Sequence, residues 1–456
     1  MAWCQAPAIV VTTAVAAEEE DAAITAVQAA AHGAPVGATA IVEDVIAEYA
    51  AYNHDHDHRR EDDDSGDSDH DDTIGSYEGK PGDYIASRYK IIREAGLGTF
   101  GRVLECLDKQ RDLLVAIKVV RKVDKYTDSA KIEANILQDV NDKDTQDASL
   151  CVRMFKWFEY KGHVCMVFEK LGCSLYDYLK AHDYQPFPLY CVRAFAWQLL
   201  TSLEFLHSIQ LIHTDLKPEN ILLVDGDEEA STPSSSASSS HSSPKGRATN
   251  RSRRHVVDAM EDIDSGRLTC RPPANYATKL IDFGGATYDD ESKSSIINTR
   301  QYRSPEVILG LGWSFPSDMW SAGCIIAEMY IGELLFATHD NLEHLALIER
   351  CIGTLPRHMT DRAAAHAAKL FRHGRLDWPK GAANDESVDH VRRMRSLRQI
   401  LRPEDAQTGL LELLELMLVL DPEKRITAKE ALRHSFFDGF SMRNIVNGRR
   451  SASASS

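Results

Sequence analysis

Several things are missing from this 456-residue chain. No lysine or arginine precedes Arg59, so the apolar, Ala-rich opening stretch lacks the basic segment that begins a secretory leader. No run reaches the ~18 consecutive apolar residues that a membrane-spanning helix needs. The nine cysteines are odd in number and never closer than eight positions apart, so there is no C-x-x-C spacing for zinc or redox chemistry. Internal repeats are absent too. These gaps lead us to expect a soluble, intracellular protein in a reducing compartment, with no membrane partner.

What is present is unevenly distributed. The net charge is −17, but residues 1–80 hold 18 acids against 3 bases, which leaves −2 for everything else. That Ala-rich and then acidic segment cannot bury enough apolar surface to offset its ordering entropy, so 1–80 is expected to be a disordered tail. Within it, alternating His54, Asp55, His56, Asp57 and His58 invite a metal reading; a solvated charged tail is the reading adopted, since no rigid ligand frame stands beside them. A second low-complexity piece, 226–277, contains STPSSSASSSHSS followed by PKGRATNRSRR and is expected to be a flexible insertion. Residues 441–456 read as a frayed tail.

Between these segments, YKIIREAGLGTFGRVLECLDKQRDLLVAIKVV alternates apolar runs with Gly and charged turns, as consecutive antiparallel strands do. KIEANILQDV at 131–140 has helical spacing, and CVRMFKWFEYKGHVCMVFEKL returns to strand composition. From about residue 171 the pattern is mostly helical. The expected fold is α+β: a sheet-rich lobe over 85–170 with one main helix, and a larger helical lobe over 171–440.

Six features then fall in order over about 210 residues. GLGTFGRV (96–103) has glycines at 96, 98 and 101, which let a hairpin backbone approach phosphate oxygens closely. VAIK ends at Lys118, placed to reach nucleotide phosphates, and Glu133 lies on the following helix where it can hold that lysine. HTDLKPEN (213–220) supplies Asp215, Lys217 and Asn220. DFG follows as Asp282, Phe283 and Gly284, and SPE as Ser304, Pro305 and Glu306. Singly, each is weak: three glycines often make only a turn, and a lone Lys–Glu pair is commonly surface decoration.

Together they resemble the eukaryotic protein kinase family across roughly 85–440. The resemblance implies an ATP-dependent phosphoryl transferase that uses Mg2+. Asp282 and Asn220 would hold the metal, Asp215 would orient or accept the substrate hydroxyl proton, and Lys217 would contact the transferred group. It also implies an ATP site of Gly96, Leu97, Gly98, Thr99, Phe100, Gly101, Val103, Ala116, Lys118, Phe168, Glu169 and Leu171, with Phe168 at the back of the adenine pocket. Lys217 and Thr299 resemble those of serine/threonine kinases.

TRQYRSPEV (299–307) resembles the branch that includes cyclin-dependent, DYRK and LAMMER (CLK) kinases. EHLALIER (343–350) agrees with the LAMMER signature at six of eight letters, with Leu347 and Ile348 replacing two methionines, and Gly353 and Pro356 follow in pattern. Segments such as FEKLGCSLYDYLK and GRLDWP resemble the same group, whose dual-specificity members favour serine in Arg-rich splicing factors. This implies a nuclear, partly cytoplasmic enzyme of pre-mRNA processing, monomeric, with basic Arg/Ser-rich protein partners and no direct nucleic-acid contact. A DYRK-like kinase and a nucleotide-binding scaffold are the alternatives; HTD and EHLALIER weigh against the first, an intact catalytic set against the second.

Three features depart from the common pattern. Thr214 stands where many kinases carry an arginine that pairs with an activation-segment phosphate, which suggests an enzyme held active without that phosphate. Asp215 and Asp282 are 67 residues apart, far more than kinases usually need, because of the Ser-rich insertion. It reads as a tolerated loop insertion, or else, through RSRR (251–254), as a regulatory or nuclear-targeting element. Gly285 and Tyr288 differ from the usual residues after DFG, making Tyr288 a candidate autophosphorylation site. Glu219 and Asp177 are candidate acids for a basic substrate, or are structural.

Overall fold

The computed structural model describes residues 75–98, 100–224 and 268–440. The first lobe is one six-stranded antiparallel sheet: β1 (Tyr84–Ile85), β2 (Tyr89–Gly98), β3 (Gly101–Asp108), β4 (Leu113–Val120), β5 (Met154–Tyr160) and β6 (His163–Glu169), in the order β1-β2-β3-β4-β6-β5. Helix α1 (Asp124–Lys143) connects β4 to β5 and packs on both β5 and β6. In β4 the alternation of LLVAIKVV decides which face does what. Val115, Ile117 and Val119 enter the apolar cluster with Tyr89, Ile91 and Leu104, so Ala116 and Lys118 must face the other way.

The second lobe is built on α2 (Leu175–Ala181), α3 (Leu189–Ser208), α4 (Pro305–Leu309), α5 (Phe315–Ile331), α6 (Asn341–Cys351), α7 (Asp385–Arg393) and α8 (Leu410–Met417). Helix α5 is apolar almost all round, from Met319 through Tyr330, and is buried accordingly between α3 and α8. A Cβ on Gly323 would come within 2.9 Å of Leu418, so the glycine lets α8 approach α5 closely. Short strand pairs carry the loops of interest: β7 (Leu211–Ile212) with β10 (Thr287–Tyr288), and β8 (Ile221–Leu223) with β9 (Thr278–Leu280). No helix among the described residues is long and apolar enough to cross a membrane.

Two boundaries differ from the expected ones. Residues 75–80, assigned by composition to the acidic tail, belong to the folded unit. Tyr77 is buried in the sheet's apolar cluster, and Arg102 donates to the carbonyls of Tyr77 and Gly79. An average over an acid-rich segment hides one aromatic anchor. Residues 268–277, assigned to the insertion, are likewise docked. Cys270 is buried and its N–H donates to Pro186 at 2.9 Å, Tyr178 donates its hydroxyl to the Arg271 carbonyl, and Gln198 donates to the Tyr276 carbonyl. The stretch has no regular secondary structure, which is why its Pro-rich composition reads as loop. The remaining acidic tail with its His/Asp alternation, the Ser-rich tract with RSRR, and residues 441–456 lie outside the described residues.

Candidate active site

The cleft between the lobes gathers the expected residues. Strands β2 and β3 meet at Gly98 opposite Gly101, and Gly96 lies opposite Val103. A Cβ on Gly101 would sit 2.2 Å from the Val119 carbonyl oxygen, so only glycine lets this turn lie so close to β4. Leu97 at the tip is 69% exposed, and Phe100 packs edge-on against Tyr126 of α1 with ring centroids 5.4 Å apart. Thr99 lies outside the described residues. The sheet register sets Val103 opposite Lys118 and Ala116 opposite Phe168, so the expected nucleotide-facing side chains share one surface. At the lobe connection the Glu169 carboxylate accepts from Lys279 at 2.7 Å and from the Arg153 N–H at 2.8 Å, while Leu171 is half-buried.

Lys118 Nζ donates to both carboxylate oxygens of Glu133, at 2.8 and 2.9 Å, and lies 3.8 Å from Asp282. Burial works to discharge this lysine, but Glu133 and Asp282 outweigh it and hold its pKa above the ordinary value. Burial likewise pushes the Asp282 carboxyl up, and Lys118, His213 and Lys217 together bring it below its usual range. The result is a charged lysine beside a charged carboxylate that is 42% exposed at the cleft.

The catalytic loop is fixed from beneath. Asp318, wholly buried on α5, accepts from the backbone N–H groups of His213 and Thr214 and from the His207 ring, at 2.9, 3.1 and 3.0 Å. These contacts more than offset the effect of burial and keep its pKa low. Above, Asp215 receives Lys217 Nζ at 2.7 Å on one oxygen and the Thr299 hydroxyl at 2.7 Å on the other. Asn220 donates to the Asp215 carbonyl at 2.8 Å, which sets its amide plane and leaves the side-chain oxygen on the opposite branch. Lys217 stays protonated because Asp215 outweighs its partial desolvation. A carboxylate held by two donors, one cationic, next to a second carboxylate and two lysines can orient a hydroxyl and bind a polyphosphate.

Thr214 is 3% exposed and its φ is +70°. Its hydroxyl donates to the Gly285 carbonyl at 2.7 Å, and its own carbonyl accepts from the Asn298 N–H and side-chain amide at 3.0 and 2.8 Å. The residue in the arginine position thus ties the catalytic loop to both limbs of the activation segment through neutral hydrogen bonds. Further along, Asp289 accepts from Lys293 at 2.5 Å and from Ser314 at 2.6 Å, and the Trp313 ring N–H donates to Ser294. Tyr288, the expected autophosphorylation candidate, is half-buried and its hydroxyl donates to Asp139 of α1. Nothing local in the sequence announces this contact, since the partners are 149 positions apart.

Asp177 closes a capping box on α2, exchanging hydrogen bonds with Ser174, while Glu219 is exposed beside the catalytic loop. Glu306 and Arg425 form a buried two-pronged ion pair at 2.6 and 2.8 Å under α4. EHLALIER lies on α6, capped by Asp340, and Leu347 and Ile348 are fully buried, which explains why one pair of apolar residues can replace another there. His344 of this motif is also buried, neither ring nitrogen has a partner among the described residues, and burial followed by Arg303 and Arg300 lowers its pKa to about 3.

The described donors suit Mg2+ better than zinc. Asp282 and Asn220 offer hard oxygens, and among the described residues no group of three or more His, Cys, Asp or Glu side chains could hold an ion. One carboxylate and one amide oxygen, completed by substrate phosphates, is the pattern magnesium takes.

Comparison with known proteins agrees with this geometry. The protein kinase domain family matches residues 89–232 and 263–437. The Arabidopsis thaliana serine/threonine-protein kinase AFC2 is 45% identical over 371 residues, 80% of this chain and 81% of that protein. The human dual specificity protein kinase CLK2 is 42% identical over 370 residues, 80% of this chain and 67% of that one. A crystal structure of a kinase domain superposes with a TM-score of 0.68 at 36% identity, covering 79% of this chain and 98% of the other. With the cleft, the bolted catalytic loop and these relatives in agreement, the chain belongs to the protein kinase family, in its LAMMER (CLK) group.

Proposed function

We propose that this kinase transfers the γ-phosphoryl group of ATP to serine and threonine, and by autophosphorylation to tyrosine, in basic Arg/Ser-rich proteins of pre-mRNA processing. The observation that carries the chemistry is Asp215, held at 2.7 Å by both Lys217 and Thr299. In that setting Asp215 orients the substrate hydroxyl; its oxygen forms the new P–O bond, the bond to the β-phosphate oxygen breaks, ADP leaves, and the proton passes to Asp215. Lys118, braced by Glu133, binds the non-transferred phosphates, and the glycines of 96–101 cover them. Asn220 and Asp282 would hold Mg2+, which supplies charge neutralisation on the phosphates.

The substrate class rests on the LAMMER resemblance of the sequence and on exposed Glu219 in the catalytic loop. Asp177, part of the α2 capping box, fits its structural alternative better. A nuclear site of action and a monomeric state follow the same resemblance. The neutral anchoring of the activation segment by Thr214 supports activity without a phosphate there.

The test is incubation of purified protein with magnesium, labelled ATP and two peptides, one an Arg/Ser repeat and one Ser-Pro without arginine, beside Asp215→Asn. Labelling of the Arg/Ser peptide, absent in the variant and retained after phosphatase treatment, supports the proposal. Equal labelling of both peptides removes the basic preference, and loss after dephosphorylation removes the phosphate-independent anchoring.

A further inference from the structure

We infer that Tyr288 is a positioning residue: its neutral hydroxyl bolts helix α1 to the activation segment and so sets Glu133 against Lys118. The inference rests on the kinase reading above. Phosphoryl transfer in this fold requires the Lys–Glu pair to be made, and the position of the helix carrying the glutamate decides whether it is.

The bolt is a continuous structure. Thr287 and Tyr288 form β10, paired residue for residue with Ile212 and Leu211 of β7, the strand that runs directly into His213 and Asp215. The Asp289 N–H donates to Gln210 at 2.9 Å, which fixes the backbone on the far side of Tyr288. From this anchored position the Tyr288 hydroxyl donates to Asp139 on α1. Asp139 also accepts from Lys143 one turn later at 2.8 Å, and Lys143 Nζ lies 5.7 Å from the centroid of the Tyr288 ring. Tyrosine hydroxyl, aspartate and lysine therefore form one three-membered contact.

Asp139 and Glu133 are six residues apart on one continuous helix, about 9 Å along the axis at ~1.5 Å per residue. A rigid helix transmits the restraint over that distance. The other end of α1 has no side-chain cap at Val123, and the sheet holds the helix from the first lobe. Tyr288 holds it from the second. In many kinases a charged phosphate performs such fastening of the activation segment; here a neutral phenol performs it, in the same segment that Thr214 anchors without charge.

The experiment compares full-length wild type with Tyr288→Phe, Asp139→Asn, Asp139→Ala and the Tyr288→Phe/Asp139→Ala double variant. Four quantities are read: kcat, KM for ATP, KM for peptide, and backbone hydrogen exchange over residues 131–143. A hydrogen bond to a charged group biases a two-position element by roughly ten- to hundredfold, and partial exposure of Asp139 favours the lower end. Tyr288→Phe is expected to lower kcat/KM for ATP about 5- to 30-fold, leave peptide KM unchanged and speed exchange over 131–143. Asp139→Asn keeps an acceptor and retains more than half of wild-type kcat/KM. The double variant is no worse than Tyr288→Phe alone. Lys131→Ala, which breaks an exposed ion pair between α1 and Glu159 of β5, stays within about twofold of wild type and excludes a general sensitivity of α1.

Tyr288→Phe with unchanged kcat/KM and unchanged exchange overturns the inference, as do losses that multiply in the double variant. If Tyr288→Phe fails to fold, Asp139→Ala, whose side chain is partly exposed, carries the same comparison. A wild type inactive on every peptide overturns the functional reading instead, and exchange over 131–143 still decides whether the bolt exists.

Discussion

Two ion pairs in this molecule share a chemistry and differ in everything else. Arg425 and Glu306 meet under α4 with side chains 0% and 1% exposed, and Arg425 also donates to the carbonyls of Pro316, Val419 and Leu420. Lys118 and Glu133 meet at the cleft with 21% and 6% exposure, and the lysine has a second carboxylate, Asp282, within 3.8 Å. The first pair has every donor matched inside protein and can do nothing but brace. The second is left electrostatically unfinished, with cationic charge open to a polyanion. Completeness of the local partners, more than the ion pair itself, separates scaffold from site.

Removing one partner should expose the contrast. Arg425→Ala leaves Glu306 buried and unpaired, and we expect about 3–5 kcal/mol less unfolding free energy in urea titration. A loss under about 1 kcal/mol would deny the buried pair its bracing role. Lys118→Met should do the reverse. Activity falls about 10²- to 10³-fold through lost charge at the phosphates, while the thermal midpoint stays within a few degrees. A Lys118→Met variant that melted as early as Arg425→Ala would erase the distinction between the two pairs.

Two smaller effects sharpen it. His344 has its pKa lowered to about 3 by burial and two arginines, against an ordinary value of 6.5. Between those values the unfolded chain binds a proton that the folded one refuses, so stability is full above pH 6.5 and falls as pH drops below it. By pH 5 the loss from this residue is roughly 2 kcal/mol. Glu328, whose pKa burial raises to about 7, works in the opposite sense, favouring the fold at low pH and losing that contribution as pH rises from 4.5 through 7. Denaturation of wild type and His344→Leu at pH 5 and pH 7 separates the two, since only the histidine contribution vanishes in the variant. Equal pH slopes would count against it. Thr214→Val removes only the hydroxyl that donates to Gly285, and about 1 kcal/mol of stability should go with it, read as a shift in thermal midpoint. No shift would mean that the loop is held by its backbone bonds alone.

What the sequence disclosed follows from this division. That Lys118, Glu133, Asp215, Asn220 and Asp282 would gather in one cleft was legible because the expected chemistry dictates the residue type at each point, and order along the chain did the rest. The strands and long helices followed from periodicity: β4 alternates, and α5 is apolar all round. The Tyr288–Asp139 contact could not be read, because it depends on how a two-residue strand lies beside a helix from the other lobe. For Asp177 the sequence leaves open a substrate-facing acid or a structural residue, and the Ser174 spacing three residues earlier that marks a capping box is the signal that favours the structural side. Composition placed both folded margins, 75–80 and 268–277, on the wrong side of the boundary, because isolated anchors such as Tyr77 and Cys270 weigh little in an average.

The docked limb 268–277 has a bearing on how such a chain can change over generations. Val224 and Ala277 are joined by a backbone hydrogen bond of 2.8 Å, and Asn275 reaches back to the Val224 carbonyl, so the entry and return of the inserted segment are clasped together next to β8 and β9. Length gained or lost beyond the clasp need not be felt by Asp215 on one side or Asp282 on the other, and each doubling adds only about 0.6 kcal/mol of closure cost. The clasp makes the stretch between them a place where new sequence can be tried while the chemistry is kept.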